Sequence, residues 1–287
     1  MQKKLLPLSI LCCIFCVITI FVACGPSSPS PDSVTSKQTF FSGDANNDGI
    51  INHYDLLNIG LHWQAKGEPR SNDTTASADW QQTKANLNGK YADCNGDGTV
   101  NEKDTLLIVQ KYGRNLPNRR FQAPTPTANS PKLSLVSSED DTYRQQSNGG
   151  HITKNRSTTE TRIINLTFSV SDDVGLDTIK GIAFTVHTSS TLVGLTDYGN
   201  AVWLGNRDEL LFMHHIDGNT WDIALVRKDN TPPPTNNRTI TASCIVTIDL
   251  SITAQPINFT IQNAVLMTTR GNLIPLQVEN SAVYATT

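Results

Sequence analysis

The sequence predicts a multidomain chain, in which a small α-helical module built on two acidic loops is followed by an all-β sandwich. Three observations predict it. A twelve-residue pattern of Asp, Asn and Gly occurs twice, offset by 49 positions (93 − 44), and each copy runs into an apolar stretch of helical spacing. From about Lys132 onward, short apolar and β-branched runs alternate with Asn, Gly, Asp and Pro clusters. Two Pro-containing stretches, one after Cys24 and one over 117–131, lack the apolar residues that build a core and mark off the segments between them.

The N-terminus comes first. Lys3 and Lys4 precede an almost wholly apolar run from Leu5 to Ala23, and the small Ala23 precedes Cys24. A basic start, an apolar run and a small-residue boundary describe an export signal. Phe21-Val22-Ala23-Cys24 resembles a bacterial lipobox, with Phe21 where Leu is usual. The resemblance implies cleavage before Cys24 and a lipid on its thiol. An uncleaved membrane anchor is the alternative, because the run is just long enough to span a bilayer. Either way the rest of the chain lies outside the cytoplasm. The expectation is an exported, membrane-anchored lipoprotein of the outer membrane, on its periplasmic or cell-surface face.

Domain boundaries follow. Residues 1–24 are the lipoprotein signal, 25–38 a Pro/Ser tether, 39–116 the repeat module, 117–131 a linker and 132–287 the sandwich. Formal net charge is −3 and there is no long basic run, so nucleic acid is not an expected partner. Of six cysteines, Cys12, Cys13 and Cys16 fall in the apolar run and Cys24 is the lipidation candidate. Cys94 and Cys244 remain, as two shielded thiols or as a disulfide.

The first loop reads Asp44-Ala45-Asn46-Asn47-Asp48-Gly49-Ile50-Ile51-Asn52-His53-Tyr54-Asp55. The second reads Asp93-Cys94-Asn95-Gly96-Asp97-Gly98-Thr99-Val100-Asn101-Glu102-Lys103-Asp104. Asp, Asn, Asp, Gly, Asn and Asp recur at positions one, three, five, six, nine and twelve. Calcium is a hard cation that takes roughly six to eight oxygen ligands, and this spacing aims oxygens inward. The expected ligands are Asp44, Asn46, Asp48, Ile50, Asn52 and Asp55 in one loop, and Asp93, Asn95, Asp97, Thr99, Asn101 and Asp104 in the other. Ile50 and Thr99, at position seven, contribute backbone carbonyls. Two calcium ions are expected, one per loop. Position six needs a sharp turn, which glycine makes at little cost.

Each loop exits into helical spacing, through Leu56, Leu57, Ile59 and Leu61 after the first and Leu106, Leu107, Val109 and Tyr112 after the second. No regular helix is expected before Asp44, so each unit is a loop plus one helix. Residues 43–113 resemble a dockerin. The resemblance implies two bound calcium ions and docking through a helix face onto a cohesin-like module, in trans or in cis. A long insertion over 64–92, with Gly67-Glu68-Pro69-Arg70 and Trp80, resembles a dockerin variant found in surface and secreted proteins of Gram-negative bacteria. The family's contact positions ten and eleven are His53/Tyr54 and Glu102/Lys103, which differ in chemistry, so the two faces are not interchangeable.

Expected strands cover Lys132–Val136, Arg162–Val170, Gly181–His187, Glu209–Ile216, Trp221–Arg227, Ile240–Ile252 and Ile257–Met267. Ile182, Phe184 and Val186 face one way, as do Ile257, Phe259 and Ile261. This segment resembles cohesin-like jelly-roll sandwiches and their carbohydrate-binding relatives, through Lys180–Val186, Trp203-Leu204-Gly205, Trp221–Arg227 and Ile257–Ile261. Trp203 and Trp221 read as core residues in preference to sugar platforms. His214 and His215 alternate across a strand and do not make a joint metal site. Asp172-Asp173 reads as a turn.

No Gly-x-Ser-x-Gly, His-Glu-x-x-His or phosphate loop occurs, and an enzyme is not expected. The expected function is non-catalytic, calcium-dependent protein docking on a surface or periplasmic lipoprotein. The alternative is a carbohydrate-binding component of a polysaccharide-degrading machinery, with the sandwich contacting glycan.

Overall fold

The computed structural model describes residues 41–70, 89–117, 122–139, 159–171, 174–175, 178–189, 193–197, 209–229, 239–249, 256–279 and 282–284. The export signal, Cys24, the tether, Trp80, Asp172-Asp173 and Trp203 fall outside them. Among the described residues no helix is long and apolar enough to cross a membrane.

The described residues form three helices and eleven strands. They run α1 (Tyr54–Leu61), α2 (Gly89–Ala92), α3 (Glu102–Lys111), β1 (Lys132–Glu139), β2 (Thr159–Val170), β3 (Ile179–Thr188), β4 (Val193–Asp197) and β5 (Glu209–Asp217). Then follow β6 (Thr220–Arg227), β7 (Thr239–Asp249), β8 (Ile257–Thr268), β9 (Leu273–Pro275), β10 (Gln277–Val278) and β11 (Ala282–Tyr284). All seven expected strands are present. The additional β4, β9, β10 and β11 have two to five residues each, too short to show a period of two. The one-turn α2 precedes the second loop, where no helix was expected.

The strands make two sheets, ordered β10-β1-β2-β7-β4 and β11-β8-β3-β6-β5, with β9 added alongside β8. All pairings are antiparallel except β1 with β10. Facing sheets need apolar inner faces, and Ile164, Leu166 and Phe168 of one sheet meet Ile182, Phe184, Val186, Ile223, Leu225, Phe259 and Ile261 of the other. Trp221 belongs to this core at 3% exposure, so it offers no sugar platform.

The second sheet is buried on both faces, unlike a sandwich sheet with one face in water. Its burial is nearly continuous along β3 and β6. The cover is the helical module. Ala183, Ala224, Val226, Val265 and Met267 share a second core with Ile51, Tyr54, Leu56, Leu57, Ile59, Val100 and Ile108. Thr39–Thr287 accordingly forms one compact unit, in which the repeat module and the sandwich are packed together. The segment read as a linker is also engaged in part: Gln277 Nε2 donates to the Thr127 carbonyl, and Gln277 N donates to the Pro131 carbonyl at 2.8 Å.

Candidate metal loops and docking face

Each loop is organised by its own carboxylates. Asp44 accepts from Asp48 N (3.0 Å) and Gly49 N (2.8 Å). Asp55 accepts from Asn46 N (3.0 Å) and Asn52 N (2.8 Å), and Asp48 from Ile50 N (2.8 Å) and Asn46 Nδ2 (2.9 Å). The second loop repeats the scheme. Asp93 accepts from Gly96 N (3.0 Å) and Gly98 N (3.1 Å), and Asp104 from Asn95 N (3.0 Å) and Asn101 N (2.8 Å). Asp97 accepts from Thr99 N and Asn95 Nδ2, both at 3.0 Å. Gly49 and Gly98 have φ of 89° and 87°, where a Cβ is disfavoured.

Positions nine and twelve also start the helices. Asn101 Oδ1 accepts from Lys103 N (2.9 Å) while Asp104 accepts from Asn101 N, a reciprocal N-terminal cap. Asn52 Oδ1 accepts from Tyr54 N at 2.9 Å in the first unit. Loop and helix therefore form together.

Charge is crowded in these loops. Burial pushes the Asp44 carboxyl up to about 6, and Asp48 adds to the rise. Burial raises Asp55 well above the carboxylate range, with Asp44 and Asp48 contributing. Burial likewise pushes Asp104 up to about 6 and raises Asp93, against the opposing charge of Arg70. Among the described residues no three His, Cys, Asp or Glu side chains gather as a metal cluster by themselves. The carboxylates are joined instead by Asn46, Asn52, Asn95 and Asn101 and by the carbonyls of Ile50 and Thr99. An all-oxygen set of Asp, Asn and backbone carbonyls has the chemistry that suits a hard divalent cation.

A pH dependence follows for metal-free protein. Asp44 and Asp104 are raised to about 6 from an ordinary 3.8, so the folded state holds extra protons between those values. Their stabilising effect is present below about 4 and lost as pH rises through about 6. The expected result is a higher unfolding midpoint at pH 5 than at pH 7.5 in chelator, with calcium removing the deficit at pH 7.5. A metal-free midpoint that rises over this range would refute the assignment.

The face of α1 meets the outer face of β3 and β6. There, most residues are small or polar: Gly181, Ala183 and Thr185 on β3, Asp222 and Ala224 on β6, with Val226 the one branched apolar side chain among them. Gly60 lies so close that a Cβ on it would be 2.2 Å from Val226 Cγ2, and a Cβ on Gly181 would be 2.8 Å from Leu57 Cδ2. Tyr54 Oη donates to the Asn263 carbonyl. Asp222, 6% exposed, accepts from Thr185 Oγ1 (2.6 Å), from Tyr112 Oη and from His53 Nδ1 (3.2 Å). Burial works to raise the Asp222 carboxyl, but the His53 hydrogen bond and charge, with Thr185 and Tyr112, hold it below the ordinary range. His214 is half-buried against Tyr112, with ring centroids 4.0 Å apart.

The two units are thus used differently. His53 and Tyr54 are buried on the sandwich, whereas Glu102 and Lys103 are exposed. The offset of 49 maps Leu57 to Leu106 and Gly60 to Val109, and these are 56% and 51% exposed. Val109 cannot occupy the place of Gly60 against Val226.

Sequence reading missed Arg70, Ser42, Tyr112 and Asp222 as partners. It also assigned 64–67 to an insertion, whereas these residues brace the second loop as 113–116 brace the first: Gly67 N donates to Gly98 O (3.0 Å) and Leu116 N to Gly49 O (2.7 Å). No side-chain repeat marks these segments, because the bonds that hold them are between backbone groups. Cys94 is a free buried thiol whose Sγ donates to the Tyr91 carbonyl at 3.6 Å, so it makes no disulfide with Cys244.

Residues 42–112 match the family model for the dockerin type I domain. No curated protein matches the chain. Solved structures similar to it are cohesin modules. The sixth cohesin of scaffoldin B from Acetivibrio cellulolyticus, solved with a Cel5 dockerin mutant, has 10% identity and a TM-score of 0.35, covering 54% of this chain and 97% of that one. A non-cellulosomal cohesin from Archaeoglobus fulgidus has 8% identity and a TM-score of 0.34, covering 55% and 91%. A type III cohesin from a cell-surface anchoring scaffoldin of Ruminococcus flavefaciens has 10% identity and a TM-score of 0.33, covering 56% and 94%.

Proposed function

We propose, from the dockerin type I match over residues 42–112, that this chain is a calcium-ordered docking protein whose dockerin module grips its own sandwich. The observation that carries this is the burial of the α1 face on β3 and β6, with Gly60 against Val226 and Leu57 against Gly181. Calcium at Asp44, Asn46, Asp48, Ile50, Asn52 and Asp55, and at Asp93, Asn95, Asp97, Thr99, Asn101 and Asp104, offsets the repulsion among buried carboxylates. It thereby fixes the helices that the same Asn and Asp residues cap. The protein acts by binding and not by catalysis. Cys24 carries a lipid that anchors the chain to the outer membrane, on its periplasmic or cell-surface face.

Chelation of the full chain tests the calcium part. A bound ion stabilises by mass action, about 4 kcal/mol per site at a thousandfold excess over Kd. The thermal midpoint should therefore fall by on the order of 10–30 °C when both ions are removed. Proteolysis within 113–131 should accelerate in parallel as the module leaves the sheet. An unchanged midpoint and cleavage rate would overturn this reading. Capture of partners with calcium and with chelator, beside a glycan array, separates protein docking from glycan binding.

A further inference from the structure

We propose that the two loops load calcium as a coupled pair, because each is braced by the chain that leaves the helix of the other unit. This rests on the calcium reading above and adds how the two sites communicate. The segment leaving α1 runs antiparallel to the second loop. Gln64 N donates to Val100 O (2.9 Å), Val100 N to Ala65 O (3.0 Å), Gly67 N to Gly98 O (3.0 Å) and Arg70 N to Gly96 O (2.9 Å). The segment leaving α3 does the same for the first loop. Gly113 N donates to Ile51 O (2.9 Å), Ile51 N to Arg114 O (2.8 Å) and Leu116 N to Gly49 O (2.7 Å). Three of these bonds correspond one to one under the offset of 49, so the bracing is reciprocal.

Two side chains tighten the exchange. Ser42 Oγ, at the entry of the first loop, donates to the Cys94 carbonyl of the second at 2.8 Å. Arg70, with its side chain 3% exposed, reaches into the start of the second loop. It donates to the carbonyls of Asp93, Cys94 (2.9 Å) and Lys90 (3.4 Å), and lies 3.9 Å from Asp93 Oδ2. Arg70 is a positioning residue: it orients the first ligand of the second loop but belongs to the exit of the first unit. When an ion orders the first loop, the caps at Asn52 and Asp55 set α1, and α1 sets residues 64–70 against the second loop. Ordering of the second loop acts back through α3 and 113–116. Each ion then lowers the ordering cost that the other would meet alone, which is positive coupling.

Calorimetric calcium titration of the full chain, with hydrogen exchange at 49–51, 64–67, 98–100 and 113–116, tests this. Asp97→Ala is expected to weaken calcium at the first loop at least about fivefold, the low end of usual coupling between sites. Asp48→Ala should weaken the second loop by the same factor, since linkage is reciprocal. Exchange at 113–116 should rise in Asp97→Ala even though the loop these residues bond is the first. Arg70→Gln should bring the cross effect toward one while leaving hydrogen exchange along β1, β2 and β7 of the sandwich unchanged. If each Asp variant leaves the remaining site within twofold of its original affinity, the coupling is wrong. An Arg70→Gln protein that binds calcium more tightly at the second loop would show a competing cation in place of a brace, and would also overturn it. A full chain that binds no calcium removes the underlying reading, and is told apart from independent sites by a stoichiometry of zero.

Discussion

Replacing Gly60 by valine is expected to break the contact between the repeat module and the sandwich. A Cβ at Gly60 would fall 2.2, 2.5 and 2.9 Å from Cγ2, Cγ1 and Cβ of Val226. Those atoms belong to a fully buried β-branched side chain near the end of β6, stiff at χ1. On the other side Gly181 supports the same contact, since a Cβ there would be 2.9 Å from the Leu225 carbonyl oxygen. Overpacking costs about 1–3 kcal/mol when neighbours can shift. Here the neighbour is a stiff side chain held on a sheet, so valine should cost at least about 3 kcal/mol of the contact. The measurement is denaturant unfolding of the full chain in calcium, where one transition should split in two as the module separates. Pairing Gly60→Ala with Val226→Gly tests the cause, because the double variant should recover much of what Gly60→Ala loses. A single unshifted transition for Gly60→Val would mean that α1 does not hold this position in solution.

This contact was hard to read in the sequence for a physical reason. Large residues at alternate positions, such as Ile182, Phe184 and Val186, announce an inner face. The opposite face of the same strand carries Gly181, Ala183 and Thr185, which look like an ordinary solvent side. Small size is what lets a helix approach, but a small residue carries no signal of what approaches it. The metal loops were legible because each ligand position demands its own side chain, and a demand made twice at one offset is hard to meet by chance. His53 and Tyr54 were also legible as contact residues. The braces at 64–67 and 113–116 were not, because their bonds use backbone groups that any sequence supplies. Arg70 escaped for the same reason, since its acceptors are mainly the carbonyls of Lys90, Asp93 and Cys94. The strands β9, β10 and β11 lie at sheet margins and take their pairing from longer neighbours.

Asp222→Ala is expected to destabilise the protein strongly. One buried carboxylate accepts from three donors that come from three places: His53 at the end of the first loop, Tyr112 just beyond α3, and Thr185 on the neighbouring strand. Alanine leaves all three without that acceptor in a site closed to bulk water. Removing one partner of a buried charged network costs about 3–5 kcal/mol. Asp222→Asn keeps the shape but exchanges one acceptor oxygen for a donor, which then faces other donors, so it should recover less than half of the loss. Tyr112→Phe removes a single donor and keeps the ring against His214, at a cost of about 1 kcal/mol. This order of loss, alanine above asparagine above the phenylalanine variant, is read from urea unfolding at constant calcium. Because His53 and Tyr112 belong to the module and Asp222 and Thr185 to the sandwich, a double-mutant cycle between Tyr112→Phe and Asp222→Asn should give a coupling of at least about 0.5 kcal/mol. Additive losses would mean that the two parts do not share this network.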